Sequence, residues 1–98
     1  MAKTALNRPL TVTMKPVAGT INMFYVFIDS KKVIQKDGTK ERSWTGRIAK
    51  DVQVKIKARV TGIGSARYKF TIDLPGTADD QSMELTLTAG YHEIEITI

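Results

Sequence analysis

Apolar and polar residues alternate with a period of two along most of this chain. The clearest run covers residues 52–60, and a second run covers residues 66–74. Apolar positions at helical spacing are nowhere sustained over ten residues. Because successive side chains of a β-strand point to opposite faces, the alternation predicts strands with one buried face and one solvent-facing face.

Two segments nearer the start of the chain are also predicted strands. Residues 10–15 alternate between Pro9 and Pro16, which predicts an edge strand, because proline cannot donate to a central ladder. Residues 21–28 are apolar except at Asn22, which predicts a central strand covered on both faces. One face of a sandwich strand normally meets water, so the second face needs cover from this chain or from another subunit.

Glycine-containing turns separate the predicted strands. Asp37-Gly38 predicts a two-residue hairpin turn within an edge or mobile β-ribbon, because both residues tolerate positive φ. The loop at residues 62–64 predicts a three-residue hairpin with a left-handed Gly64, in which Arg59 faces Arg67. In the same way Ala89-Gly90 predicts a hairpin that places Leu87 opposite His92.

These strands and turns predict an all-β fold. Seven or eight short strands suit a small antiparallel β-sandwich of immunoglobulin-like size, and a partly open β-barrel is the alternative. A chain of 98 residues is too short for two well-buried cores. We therefore expect a single domain over residues 1–98, in which residues 1–8 form a flexible N-terminal arm.

The sequence offers little for catalysis or for metal binding. It has no Cys and one His, and it contains no nucleophile or phosphate-binding motif. His92 is predicted to be structural, since its register places it by the apolar face. Asp73, Asp79 and Asp80 could supply oxygens to a cation, but their spacing matches no defined loop and favours a solvated turn. We expect a non-enzymatic protein without a metal or cofactor.

The net charge of +5 is unevenly distributed along the chain. Residues 31–69 carry twelve Lys or Arg and three acids, whereas residues 70–98 carry six acids and no Lys or Arg. Five of the cations fall on the polar face of the predicted 52–74 hairpin, namely Lys55, Lys57, Arg59, Arg67 and Lys69. Adjacent like charges repel unless they are neutralised. Neutralisation by the chain's own Glu84, Glu93 and Glu95, or plain solvation, is the favoured interpretation, and a polyanionic partner is the alternative.

Trp44, flanked by Arg42 and Arg47, is a second candidate contact. A tryptophan with nearby guanidinium groups can stack on a base or a sugar ring. A small sandwich more often uses its tryptophan as a core residue, so packing is the favoured interpretation.

Three functions are compatible with these features. The first is a structural or protein-interaction module that self-assembles, and the second is an anion or nucleic-acid binder that uses the basic hairpin. The third is a carbohydrate-binding module that uses Trp44 and tyrosines. No apolar stretch has the length of a secretory signal or a membrane span, so a cytoplasmic location is expected, although a mature secreted chain would have the same composition.

Overall fold

The computed structural model describes residues 7–49, 53–74 and 80–98, and these residues form eight strands and no helix. The all-β prediction is confirmed. The strands are β1 (Asn7–Ala18), β2 (Ile21–Ile28), β3 (Lys31–Asp37), β4 (Arg42–Ala49), β5 (Lys55–Gly62), β6 (Arg67–Asp73), β7 (Gln81–Thr86) and β8 (Tyr91–Thr97).

The strands form two four-stranded sheets that pack face to face as a sandwich. The strand order in sheet A is β4-β1-β6-β7, and the order in sheet B is β3-β2-β5-β8. Every neighbouring pair is antiparallel. The predicted antiparallel β-sandwich is therefore confirmed.

The core lies between the inner faces of the four central strands. Alternate residues of β1, β2, β5 and β6 point inward and are buried, among them Val12, Phe24, Ile56, Tyr68 and Phe70. Each apolar side chain of this kind stabilises the fold by roughly 1.5–3 kcal/mol through its removal from water. The alternation predicted the inward-facing residues correctly over 54–60 and 66–74, and residue 52 lies outside the described part of the chain.

The predicted hairpin over residues 52–74 is wrong. β5 lies in sheet B and β6 in sheet A, so the loop between them crosses from one sheet to the other. Arg59 pairs with Tyr25 and Glu93 instead of Arg67. Gly64 does adopt the predicted left-handed conformation, with a φ of 61°.

The last predicted hairpin is correct at its turn and wrong in its strands. Ala89 and Gly90 have φ values of 51° and 82°, and Thr88 and Tyr91 exchange backbone hydrogen bonds across them. The chain then separates into different sheets, because β7 pairs with β6 and β8 pairs with β5. His92 consequently pairs with Val60 and not with Leu87.

The segment around Asp37-Gly38 also crosses between the sheets. It joins β3 of sheet B to β4 of sheet A, so the predicted hairpin turn is wrong, although both strands are edge strands as expected. Gly38 is buried against Ile21, and its N–H donates to the Asn22 carbonyl at 3.1 Å. A glycine fits here because of close packing, not because of a positive φ.

β2 is central, as predicted, whereas the edge position predicted for β1 is wrong. β1 lies between β4 and β6. Proline has no N–H to donate to a ladder, and two features allow a central strand to contain Pro9 and Pro16. At Pro9 only β4 is paired with β1 among the described residues, and Pro16 lies at a register shift in the β1/β6 ladder.

The expected N-terminal arm is only partly within the described residues. Residues 7 and 8 form the start of β1, and residues 1–6 lie outside the described part. Asp79 of the acidic turn also lies outside it.

Candidate interaction surfaces

The two narrow sides of the sandwich carry opposite charges. β3 and β4 contact each other at one side, and β7 and β8 meet through the Ala89-Gly90 turn at the other. Residues 31–49 contain six Lys or Arg and two acids, a net charge of +4. Residues 80–98 contain four acids and no Lys or Arg, a net charge of −4. We call residues 31–49 the basic side and residues 80–98 the acidic side.

Both sides also hold apolar side chains that the fold covers only in part. The basic side has two of them, and β7, β8 and the residue after β8 have five. They are Val33, Trp44, Met83, Leu85, Ile94, Ile96 and Ile98. Fully buried side chains instead concentrate on the central strands. The apolar interior is therefore open to solvent at the two sides, and most of all at the acidic side.

The backbone of the four edge strands adds hydrogen-bonding capacity to the same sides. Within residues 7–49, 53–74 and 80–98, each of β3, β4, β7 and β8 pairs with one neighbouring strand. The opposite edge of such a strand presents N–H and C=O groups to which another strand can pair.

The five predicted hairpin cations do not share one face. Lys55, Lys57 and Arg59 lie on the outer face of sheet B, whereas Arg67 and Lys69 lie on the outer face of sheet A. The basic hairpin face is therefore wrong. The prediction required β5 and β6 to pair in one sheet. They belong to opposite sheets, so their outer faces point in opposite directions.

The chain's own glutamates lie beside four of the five cations, as one of the two favoured interpretations requires. Glu93 lies 3.5 Å from Lys57 Nζ and 3.8 Å from Arg59 Nε. Lys55 pairs with Glu95 and Arg67 with Glu84, both at 3.9 Å. These distances exceed hydrogen-bond length and the groups are partly exposed, so each pair contributes at most about 1 kcal/mol. The hydroxyl of Tyr91, followed by Arg59 and Lys57, lowers the pKa of Glu93.

A shallow groove lies on the outer face of sheet B. Its volume is about 310 Å³, and it is lined by Phe27, Ser30, Lys55, Lys57, Arg59 and Glu95. The Arg59 guanidinium carbon lies 5.6 Å from the centre of the Phe27 ring. Arg59 Nε is buried and has no hydrogen-bond partner in the structure. The groove combines an apolar ring with three cations and one carboxylate.

The second face of β2 borders this groove. Met23, Tyr25 and Phe27 point outward and are half-buried, and Lys32 Nζ lies 5.9 Å from the centre of the Tyr25 ring. The stems of Lys and Arg side chains can shield apolar surface while their charges stay in water. Cover by the chain itself, one of the two possibilities that the sequence left open, is thus partly provided.

Trp44, Arg42 and Arg47 do not form one contact site. Trp44 is half-buried against the core, and its ring lies over Gly46, where a Cβ would collide with it. Arg42 donates to the Asp37 carboxylate at 2.6 Å. The Thr39 hydroxyl, followed by Arg42, lowers the pKa of Asp37 to about 2. Arg47 is exposed and, by alternation along β4, points to the other face.

A part-buried hydrogen bond links the two sheets and was not foreseen from the sequence. Tyr68 of β6 is fully buried, and its hydroxyl lies 2.8 Å from Nδ1 of His92 on β8. Burial raises the pKa of Tyr68 well above its usual range. The pair could have been found only from the correct strand order, because 24 residues separate its members.

The acidic turn shows no cation-binding arrangement in the described part of the chain. No group of three or more His, Asp or Glu there could hold a metal ion. Asp80 accepts a hydrogen bond from the Leu74 N–H at 2.8 Å, and Asp73 is exposed.

Comparison with known proteins does not place the chain in a family. No family model matches it, no curated protein matches it, and no solved structure matches it. The described residues include no helix long and apolar enough to cross a membrane.

Proposed function

We propose that this protein is a non-catalytic structural module that associates with copies of itself through its basic and acidic sides. The observation that carries this proposal is the charge division, +4 on residues 31–49 and −4 on residues 80–98. A molecule with two oppositely charged sides is electrostatically complementary to its own copies. Such complementarity steers encounter and selects the orientation of the partners.

The half-buried apolar residues supply the attraction that charge alone lacks. Association would remove from water the side chains of Met83, Leu85, Ile94 and Ile96 on the acidic side, and those of Val33 and Trp44 on the basic side. Removal of apolar surface from water contributes roughly 25 cal/mol per Å². Charge pairing at the surface contributes little by comparison, so it sets orientation more than affinity.

Sedimentation velocity over a concentration series tests the proposal. At low ionic strength we expect the weight-average sedimentation coefficient to rise with protein concentration. The rise should diminish as salt shortens the Debye length from about 30 Å at 0.01 M to about 3 Å at 1 M. A chain that stays monomeric at high concentration and low salt would contradict the proposal.

Anion binding in the sheet B groove is a second candidate function. It is supported by the convergence of Lys55, Lys57 and Arg59 beside Phe27. A phosphate or sulfate group in the groove would accept charge-assisted hydrogen bonds from these side chains.

Titration with heparin and with oligonucleotides at low salt tests this candidate. Binding should weaken steeply as salt rises, and Arg59→Gln should reduce it more than Lys69→Gln on the opposite sheet. No binding at low salt removes this candidate. We do not propose carbohydrate binding, because Tyr68 is buried and Trp44 packs against the core.

A further inference from the structure

We infer that copies of this protein associate head to tail, with β8 of one copy beside β3 of the next and β7 beside β4. Both sheets would then continue from copy to copy. This inference rests on the proposed self-association and adds the arrangement of the copies. It follows from strand polarity, charge and the alignment of residues across each sheet.

Strand polarity permits this arrangement in both sheets at once. Each sheet has four antiparallel strands, so its two edge strands run in opposite directions. A copy displaced across the sheets therefore brings β3 antiparallel to β8 and β4 antiparallel to β7. Because β3 and β4 lie on one side and β7 and β8 on the other, one displacement satisfies both pairings.

Charge disfavours the alternative, a symmetric dimer of like sides. A two-fold axis beside β8 would bring Glu93 and Glu95 of both copies together, and an axis beside β3 would bring Lys31, Lys32 and Lys36 together. Like charges directly opposite each other on paired strands are destabilising. Head-to-tail contact instead joins the side with net charge −4 to the side with net charge +4.

The alignment of residues across sheet B adds a specific pair. Lys32 is level with Phe27, Phe27 with Lys57, and Lys57 with Glu95. A copy placed at the same level would bring Glu95 beside Lys32 of the next copy, with Cβ atoms about 5 Å apart. Lysines on an edge strand normally oppose pairing with another strand. Here the acidic strand would neutralise them.

In sheet A two serines on the opposite edge strands lie at the same level, which makes them suitable positions for a cross-linking test. Ser43 of β4 is level with Thr13, Thr13 with Thr71, and Thr71 with Ser82 of β7. Ser43 and Ser82 are both exposed. Within one copy they lie at opposite edges, about 14 Å apart across three strand spacings. Between head-to-tail copies they would be neighbours.

Cysteine cross-linking tests the arrangement, because the chain has no Cys of its own. Ser43→Cys and Ser82→Cys are single-atom replacements at exposed positions. The variants are oxidised separately, as an equal mixture, and as the double variant, at a concentration where sedimentation shows association. A disulfide requires Cβ atoms about 3.5–4.5 Å apart, so it cannot form between the two edges of one copy. Ser65→Cys, at an exposed position on the loop that joins central strands β5 and β6, measures random collision.

Head-to-tail association predicts covalent dimers in the mixture and a ladder of longer species from the double variant. Each single variant should cross-link no more than the Ser65→Cys control. Dimers from one single variant alone, or no excess over the control in the mixture, would overturn the arrangement. Self-association would still stand in that case, whereas a strictly monomeric chain in sedimentation would remove both proposals.

Discussion

The Tyr68 hydroxyl and Nδ1 of His92 lie 2.8 Å apart, and they join strands of opposite sheets. The two rings are also in contact, with centroids 5.9 Å apart. Tyr68 is fully buried, so its hydroxyl depends on His92 as its partner. This contact sets how β6 is positioned against β8, which is part of the acidic side.

Tyr68→Phe should destabilise the fold because it leaves His92 Nδ1 without its partner. A typical intramolecular hydrogen bond contributes about 1 kcal/mol, and we expect a loss of that order in urea denaturation. Tyr91→Phe is the matched control, since Tyr91 is exposed and bonds to Glu93 at the surface. Equal losses in the two variants would show that the Tyr68–His92 bond stabilises the fold no more than the surface bond of Tyr91 does.

The same tyrosine should make stability sensitive to alkaline pH. Burial raises the pKa of Tyr68 above the value of 10.0 that the unfolded chain retains. The folded state therefore holds its proton where the unfolded state loses it, so the contribution of Tyr68 is complete below about pH 10 and is lost as pH rises further. The Tyr68→Phe variant should not show this part of the loss of stability when urea denaturation is repeated at increasing alkaline pH.

Asp37 should make the stability of the fold sensitive to acid pH. The Thr39 hydroxyl, followed by Arg42, holds the pKa of Asp37 at about 2 in place of 3.8. Its contribution is present above about pH 3.8 and is lost as pH falls towards 2. Carboxyl chemical shifts in an NMR titration should report this value, and Thr39→Val should raise it. A normal pKa for Asp37 in the wild-type chain would refute the contact.

The alternation of side chains established which residues face inward, but not which sheet they belong to. Val54, Ile56 and Val60 are buried as the pattern requires. A short loop can join two neighbours in one sheet or two strands of opposite sheets, and both arrangements keep the same inward residues. For this reason the loops at residues 62–64 and 89–90 were correct as turns and wrong as hairpins, and the hairpin turn predicted at residues 37–38 was wrong.

The glycines at these crossings should differ in their tolerance of a side chain. A Cβ on Gly38 would collide with the Ile21 side chain and carbonyl, whereas a Cβ on Gly64 would meet open space. Gly38→Ala should therefore cost about 1–3 kcal/mol by overpacking. Gly64→Ala should cost about 1 kcal/mol, because its φ of 61° disfavours a side chain. Thermal denaturation that ranks Gly64→Ala as the more damaging would contradict the packing described for Gly38.

The candidate surfaces were only partly predictable, because the alternation of side chains does not show which sheet each strand belongs to. The sequence showed that residues 31–69 are basic and residues 70–98 acidic, and it named the glutamates that neutralise the central cations. It could not show that β3 and β4 share one narrow side and β7 and β8 the other. That division depends on strand order, which long-range pairing decides.

Trp44 offers an intrinsic probe of association. It is the one tryptophan of the chain, and it lies half-buried on β4, where head-to-tail contact would cover it. We expect its emission to shift to shorter wavelength as protein concentration rises at low salt, and to shift back when salt is added. An unchanged spectrum over a range where sedimentation shows association would place the interface elsewhere.

Charge reversal on the basic side tests the central claim most directly, with sedimentation velocity at low salt as the measurement. Lys32→Glu/Lys36→Glu changes edge strand β3, and Lys15→Glu/Lys69→Glu changes central strands β1 and β6. Both variants lower the net charge from +5 to +1, because each of the two replacements removes two units. We predict at least a tenfold loss of association for the β3 variant, equivalent to about 1.4 kcal/mol, and near wild-type association for the control. Equal behaviour of the two variants would contradict association through the charged sides.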